Sequence, residues 1–262
     1  MINKKDISVI IQGPLDSLSI NNLDVYKDFG EIIISSWVDS DLGKLATAPK
    51  VPFKVVINDY PNIENFFNFG NITWECMSTI KGLKEVTKPF CFKTRADELY
   101  PNLDVYVESL NKDPDKIHSS NQSFCKDSYM KYHASTHLLL AKSDVLLKAF
   151  DHSLILCLDN KDRVSNRIHY TTRDGVKMPI HAERIVTVST LVALGYKLED
   201  LVPEKSIEIM KKHYKVIPLK AMSKFFVSAN SSKANPSAPY IYKLTRDIWS
   251  SNPQFCSDIE QL

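Results

Sequence analysis

The chain has 262 residues, 44% of them apolar and 24% charged, which suits one large globular domain with a sizeable core. Its 33 basic and 31 acidic side chains leave a formal charge of +2, so the chain as a whole is no polyanion binder, and any basic surface must be local. The apolar run Ile7 to Ile11 is too short for a secretory core, and no stretch approaches the roughly 18 to 20 apolar residues of a spanning helix.

From the N-terminus, Ile7 to Ile11 is β-branched and almost wholly apolar, the signature of a strand covered on both faces. Gly13-Pro14 breaks it. Residues 20–29 read as a short helix ending at Gly30. Strands are predicted at Glu31 to Trp37 and at Phe53 to Asn58. From Asn71 to Thr87 the residues Ile72, Cys76, Met77, Ile80 and Leu83 fall on one helical face, with Asn71 or Thr73 as cap. Phe90 to Thr94 is a fourth strand, with Arg95-Ala96-Asp97-Glu98 at its end.

This β-α-β-β-α-β order predicts an open α/β sheet flanked by helices. Ligands bind such sheets at the carboxyl ends of the strands. The polar residues there are Gln12, Ser35, Ser36, Asn58, Asp59, Arg95 and Asp97, with Trp37 beside them as a stacking surface or a core residue.

Further on, His137 to Ala141 reads as a strand and Ser143 to Phe150 as a helix. Residues 159–179 carry Arg163, Arg167 and Arg173 and read as a long functional loop. Glu183 to Leu194 is a helix closed by Gly195. Lys205 to Phe226 mixes lysines with aromatics, a pattern that suits either contact with an anionic membrane or a solvated face. One domain is expected over 1–228, with a surface tail over 229–262.

The chain has seven glycines and no GxGxxG, no GxxxxGK[ST], no GxSxG and no HExxH, which excludes the common dinucleotide, P-loop, serine-hydrolase and zincin sites. The five cysteines form no CxxC pair and are read as reduced thiols. The Asn-x-Ser/Thr sequences at Asn71, Asn121 and Asn230 are read as chance. No nucleic-acid motif accompanies the lysines. A phosphate-binding enzyme without a P-loop commonly uses a divalent cation held by carboxylates.

Ile7 to Pro14, Ile33 to Trp37, Val56 to Asp59, Thr79 to Gly82 and Phe92 to Glu98 stand in an order that resembles the WavE-like lipopolysaccharide synthesis family. The resemblance spans roughly residues 7 to 100 and is looser beyond. It implies a GT-A-like fold, a nucleotide-sugar donor and a glycan or lipid-linked glycan acceptor. With no secretory core and no spanning stretch, the protein is expected in the cytoplasm, and contact through Lys205 to Phe226 would set it on the inner face of the membrane. GT-A enzymes grip Mn2+ or Mg2+ with an Asp-x-Asp element. Here the matching element is Arg95-Ala96-Asp97, so Asp97 and Glu98 are the candidate metal ligands and Arg95 a phosphate clamp.

Gln12, Gly13, Pro14, Asp59, Arg95 and Asp97 are then the donor-binding candidates. Glu183, opening a helix just after His181, is the candidate general base, with His181 as base or metal ligand in its place. His133 and His137 are read more weakly as a metal pair. The competing readings are a nucleotidyl- or phosphoryltransferase on the same edge, and an inactive nucleotide-sugar or glycan binding module.

Overall fold

The computed structural model describes residues 1–15, 17–62, 71–122, 124–125, 127, 130–158, 181–222 and 226–227. The predicted arginine loop at 159–179, Lys224, Phe225 and the tail at 229–262 lie outside them. The elements are β1 (Ile7–Gln12), α1 (Ser17–Val25), β2 (Glu31–Trp37), β3 (Lys54–Asn58), α2 (Ile72–Lys84), β4 (Phe90–Arg95), β5 (Glu98–Leu99), α3 (Asp104–Lys112), β6 (Ile117–Ser120) and β7 (Leu139–Lys142). They continue with α4 (Ser143–Leu158), α5 (Ala182–Ala193), α6 (Ser206–His213), β8 (Tyr214–Ile217) and β9 (Phe226–Val227).

Seven strands form one sheet in the order β3-β2-β1-β4-β7-β6-β8. β3, β2, β1 and β4 are mutually parallel. β7 runs antiparallel to both β4 and β6, and β8 is parallel to β6. β5 and β9 pair separately, antiparallel. The expected class, an α/β fold with a mixed, mostly parallel sheet between helices, is the one observed.

Alternate residues of each central strand face opposite layers. Val9, Ile11, Ile32 and Ile34 pack with Leu23, Tyr26 and Phe29 and with Tyr106 and Leu110 of α3. Ile10 and Ile33 pack on the other side with α2, α4 and α5 through Ile72, Cys76, Ile80, Leu146, Phe150 and Ile185. Covering both faces is why β1 is buried along its whole length and reads as a run that is apolar but for Ser8 and Gln12. Gly82 lets α2 lie close on this sheet, for a Cβ there would sit 3.0 Å from Ile10 Cγ2 and 3.2 Å from the Ser35 Cβ.

Several boundaries differ from the sequence expectation. α1 covers Ser17–Val25 rather than 20–29. Asn71 does sit at the start of α2, but in a left-handed conformation (φ 63°) and without a side-chain cap bond, so the helix begins on the turn itself. α4 continues past Phe150 to Leu158, because Leu156 and Cys157 remain in the core. β7 starts at Leu139 rather than His137, since the preceding residues form a loop tied to the strand ends: Lys93 Nζ donates to Thr136 O (2.8 Å) and Ser119 Oγ to Ser135 O (2.9 Å).

Candidate functional site

The chain leaves β1 through α1 toward β2, on one side of the sheet's midline. It leaves β4 in the other direction, toward β6 and β7. β1 and β4 are neighbours, with Gln12 opposite Arg95. Connections that diverge from adjacent parallel strands leave a crevice beyond their carboxyl ends, where ligands bind in open α/β sheets. The predicted residues Gln12, Gly13, Pro14, Arg95 and Asp97 all stand at or just beyond the carboxyl ends of these two strands.

Its floor is tightly tied. Ala96 N donates to Gln12 O (2.7 Å), Gly13 N to Ser35 O (3.0 Å) and Ser36 Oγ to Gly13 O (2.9 Å). Gly13 has φ 122°, a conformation that favours glycine. Gln12 is 8% exposed, and its Nε2 donates to Ser78 Oγ of α2 (2.9 Å). Pro14 is exposed. Asp59 is also exposed, one residue beyond β3 and two strands from β1. Trp37 is 3% exposed and stacks on Tyr60 at 4.6 Å, so it belongs to the core reading rather than to an open stacking platform.

Arg95 and Asp97 form a two-pronged pair, Nε to Oδ1 at 2.9 Å and a terminal nitrogen to Oδ2 at 2.7 Å. Both side chains are partly exposed. Just behind them Glu98 is 1% exposed. Its Oε1 accepts from His137 Nδ1 (2.5 Å) and Gln122 Nε2 (3.2 Å), and its Oε2 from the Tyr100 hydroxyl (2.7 Å). Burial opposes its charge, but His137, Arg95 and Tyr100 together outweigh burial and bring its pKa down to about 2. Glu98 therefore works as a buried anchor that orients His137.

Beneath this lies a pair that the sequence reading missed. Lys93, inside β4 and wholly buried, donates from Nζ to Glu75 Oε1 of α2 at 2.5 Å. Burial opposes the Glu75 charge; Lys93 and Arg95, with a smaller contribution from His137, reverse that and hold its carboxyl below the usual range. Glu75, Lys93, Arg95, Asp97, Glu98 and His137 thus form one electrostatic network under the crevice.

On the same edge, the loop before β7 meets the start of α5. Ala134 N donates to Thr187 Oγ1 (2.9 Å), which donates to Glu183 O (2.8 Å). This brings His133 against both predicted residues of that helix start. His133 Nε2 is 3.9 Å from Glu183 Oε2, and the His133 and His181 rings meet edge to face at 5.5 Å. One ligand atom from each of His133, His181 and Glu183 lies within 4.8 Å of the other two. Burial pushes the His133 pKa down to about 4, against the pull of the Glu183 carboxylate. The His133–His137 pairing considered from the sequence is not formed; each histidine joins a different acid, Glu183 and Glu98.

Asp97 and Glu98 fit a cation poorly as arranged, because every carboxylate oxygen of the two already accepts from Arg95, His137, Gln122 or Tyr100. In the lysine segment, Lys205, Lys211 and Lys212 are exposed, but so are Glu204 and Glu208, and Tyr214 is buried in the core. No helix among the described residues is long and apolar enough to cross a membrane.

No protein-family model and no curated protein matches the chain. Among solved structures it is similar to 4-diphosphocytidyl-2C-methyl-D-erythritol synthase from Anaerococcus prevotii, at 12% identity over 82% of this chain and 90% of that one, with a TM-score of 0.40. A putative glucose-1-phosphate thymidylyltransferase from Bacillus anthracis matches at 13% identity over 56% of this chain and 74% of that one, TM-score 0.39. S. aureus TarS matches at 10% identity over 71% of this chain, which spans 33% of TarS, TM-score 0.40.

Proposed function

We propose that the chain is a glycosyltransferase of the GT-A-like, WavE-like kind, moving a sugar from a nucleotide-sugar donor to a lipopolysaccharide or related surface-glycan acceptor with inversion. The observation that carries this reading is the Arg95–Asp97 pair at the mouth of the β1–β4 crevice. A planar guanidinium on a side chain one-third exposed, held by a carboxylate, is suited to a diphosphate, where negative charge grows as the donor bond breaks. The nucleoside lies toward Gln12, Gly13, Pro14 and Asp59. The acceptor lies toward His181 and Glu183.

In the reaction, the acceptor oxygen bonds to the anomeric carbon as that carbon's bond to the diphosphate oxygen breaks. The nucleoside diphosphate leaves against Arg95. The acceptor proton is given up at the His181–Glu183 corner. Peripheral contact with an anionic membrane surface through Lys205 to Phe226 would bring the enzyme to a lipid-linked acceptor on the cytoplasmic side. The exposed lysines support this contact, and the interspersed acids weaken it.

The reading is tested by incubating the protein with a panel of nucleotide sugars, with and without divalent ions, and identifying the products. Free nucleoside diphosphate together with transferred or released sugar supports it. Pyrophosphate formed from a nucleoside triphosphate and a sugar phosphate would replace it with a nucleotidyltransferase on the same edge. Binding without any product would leave a nucleotide-sugar binding module.

A further inference from the structure

We infer that His133, His181 and Glu183 form a site for one divalent transition-metal ion, separate from the Asp97–Glu98 pair. Three parts of the chain converge here: the loop before β7, the residue that precedes α5 and the first turn of α5. The Thr187 side chain fixes that convergence, taking Ala134 N and giving to Glu183 O.

The distances suit an ion better than a direct bond. His133 Nε2 and Glu183 Oε2 are 3.9 Å apart, too far for a hydrogen bond. Two metal–ligand bonds of about 2.1 Å at a tetrahedral angle set their ligand atoms about 3.4 Å apart. The trio's ligand atoms, all within 4.8 Å of one another, close to that spacing with side-chain shifts of at most about 1.4 Å. A second observation points the same way. His133 is 3% exposed, and its Nδ1 has no hydrogen-bond partner outside its own residue. No hydrogen bond at Nδ1 holds the ring back, so the shift that brings Nε2 onto an ion shared with Glu183 breaks none there.

Two imidazoles and one carboxylate are the donor set of catalytic zinc sites, which keep a further position open. Imidazole donors select Zn2+, Co2+ or Fe2+ over Mg2+ and Ca2+, which take oxygen ligands. His181 and Glu183 are only partly buried, so the remaining positions face outward. The site stands on this geometry alone; its use in activating the acceptor hydroxyl rests on the proposed function.

The test reads metal binding rather than turnover, so it succeeds or fails independently of the transferase reading. Co2+ is titrated into the metal-free protein and followed by its visible spectrum, with Zn2+ and Mg2+ as competitors. The site predicts one Co2+ per chain, displaced by Zn2+ and unaffected by millimolar Mg2+. Affinity should fall by about 10-fold or more in His133→Gln and Glu183→Gln, and stay unchanged in Asp97→Asn. Melting curves confirm that each variant is folded, and if His133→Gln is not, His181→Gln takes its place. No Co2+ binding by the parent, equal binding by the His133 and Glu183 variants, or loss of binding in Asp97→Asn would each overturn the site.

Discussion

His137 Nδ1 donates to Glu98 Oε1 at 2.5 Å, joining two residues 39 positions apart beneath the crevice. The bond orients the imidazole, and the same carboxylate oxygen puts a negative charge behind Arg95, whose Nε is 3.6 Å from it. The folded pKa of Glu98, about 2, lies below its ordinary 4.5. Its contribution to stability is therefore fully present above about pH 4.5 and lost as the pH falls toward 2. That contribution is on the order of 3 kcal/mol. Urea unfolding from pH 6 down to pH 2.5 should show stability falling with acid in the parent, and a flatter limb in Glu98→Gln. Identical acid limbs in the two would remove Glu98 from the account.

Lys93 and Glu75 make the second buried relationship. Lys93→Met alone leaves a buried carboxylate without its main partner and should cost about 3 to 5 kcal/mol. Lys93→Met combined with Glu75→Leu should recover most of that, less about 1 kcal/mol for the Thr136 carbonyl that loses its donor. Denaturant midpoints of the single and double variants measure the difference. A double variant as unstable as the single one would mean that the pair's charges are not the source of the cost.

Glu183→Gln keeps the size of the side chain and removes its charge. Sugar transfer should fall by about 100-fold while nucleotide binding survives. Were Glu183 only a helix-start residue, the same change would cost at most about 1 kcal/mol of stability and leave turnover intact. Melting temperature, nucleotide affinity and transfer rate on this one variant separate a role in transfer, as base or as metal ligand, from a helix-start role, and the Co2+ titration separates the first two.

Charge reversal at Lys211 and Lys212, both exposed on α6, tests the membrane contact. Binding to vesicles containing phosphatidylserine should weaken by about 1 kcal/mol per reversed lysine or more, with the larger effect at low salt. Equal vesicle binding by parent and variant would leave the lysines as a solvated face.

The parallel half of the sheet was legible because β1, β2 and β4 are sandwiched between helices and so carry the short apolar runs Val9 to Ile11, Ile32 to Ile34 and Phe90 to Phe92. Gly13-Pro14 and Arg95-Ala96-Asp97 then followed as strand ends. β6 was not legible. Its sequence Ile-His-Ser-Ser looks like a surface turn, yet all four residues are buried, and His118 satisfies itself against Ser109 Oγ and Asp113 O, each at 3.0 Å. Lys93 was quoted in the family resemblance but not recognised as buried, since its partner Glu75 sits on α2 at the position expected for a helix-start acid. His133 stood out only through its spacing from His137, which pointed to the wrong partner. Its meeting with His181 and Glu183 depends on the loop before β7 crossing to α5, a contact between segments about 50 residues apart that no spacing rule predicts.

The central claim is that the Arg95–Asp97 pair marks the donor-diphosphate site. Calorimetric titration of nucleoside diphosphates into the parent, Arg95→Gln and Asp97→Asn tests it most directly, with melting curves confirming that each protein is folded. The account predicts that one nucleoside diphosphate binds the parent. Arg95→Gln should weaken it by about 10- to 100-fold, through loss of a charge-assisted bond of roughly 1.5 to 3 kcal/mol. Asp97→Asn should weaken it less, since the guanidinium remains but is no longer held. Folded Arg95→Gln that binds the nucleotide as tightly as the parent would contradict the claim and move the donor away from this crevice.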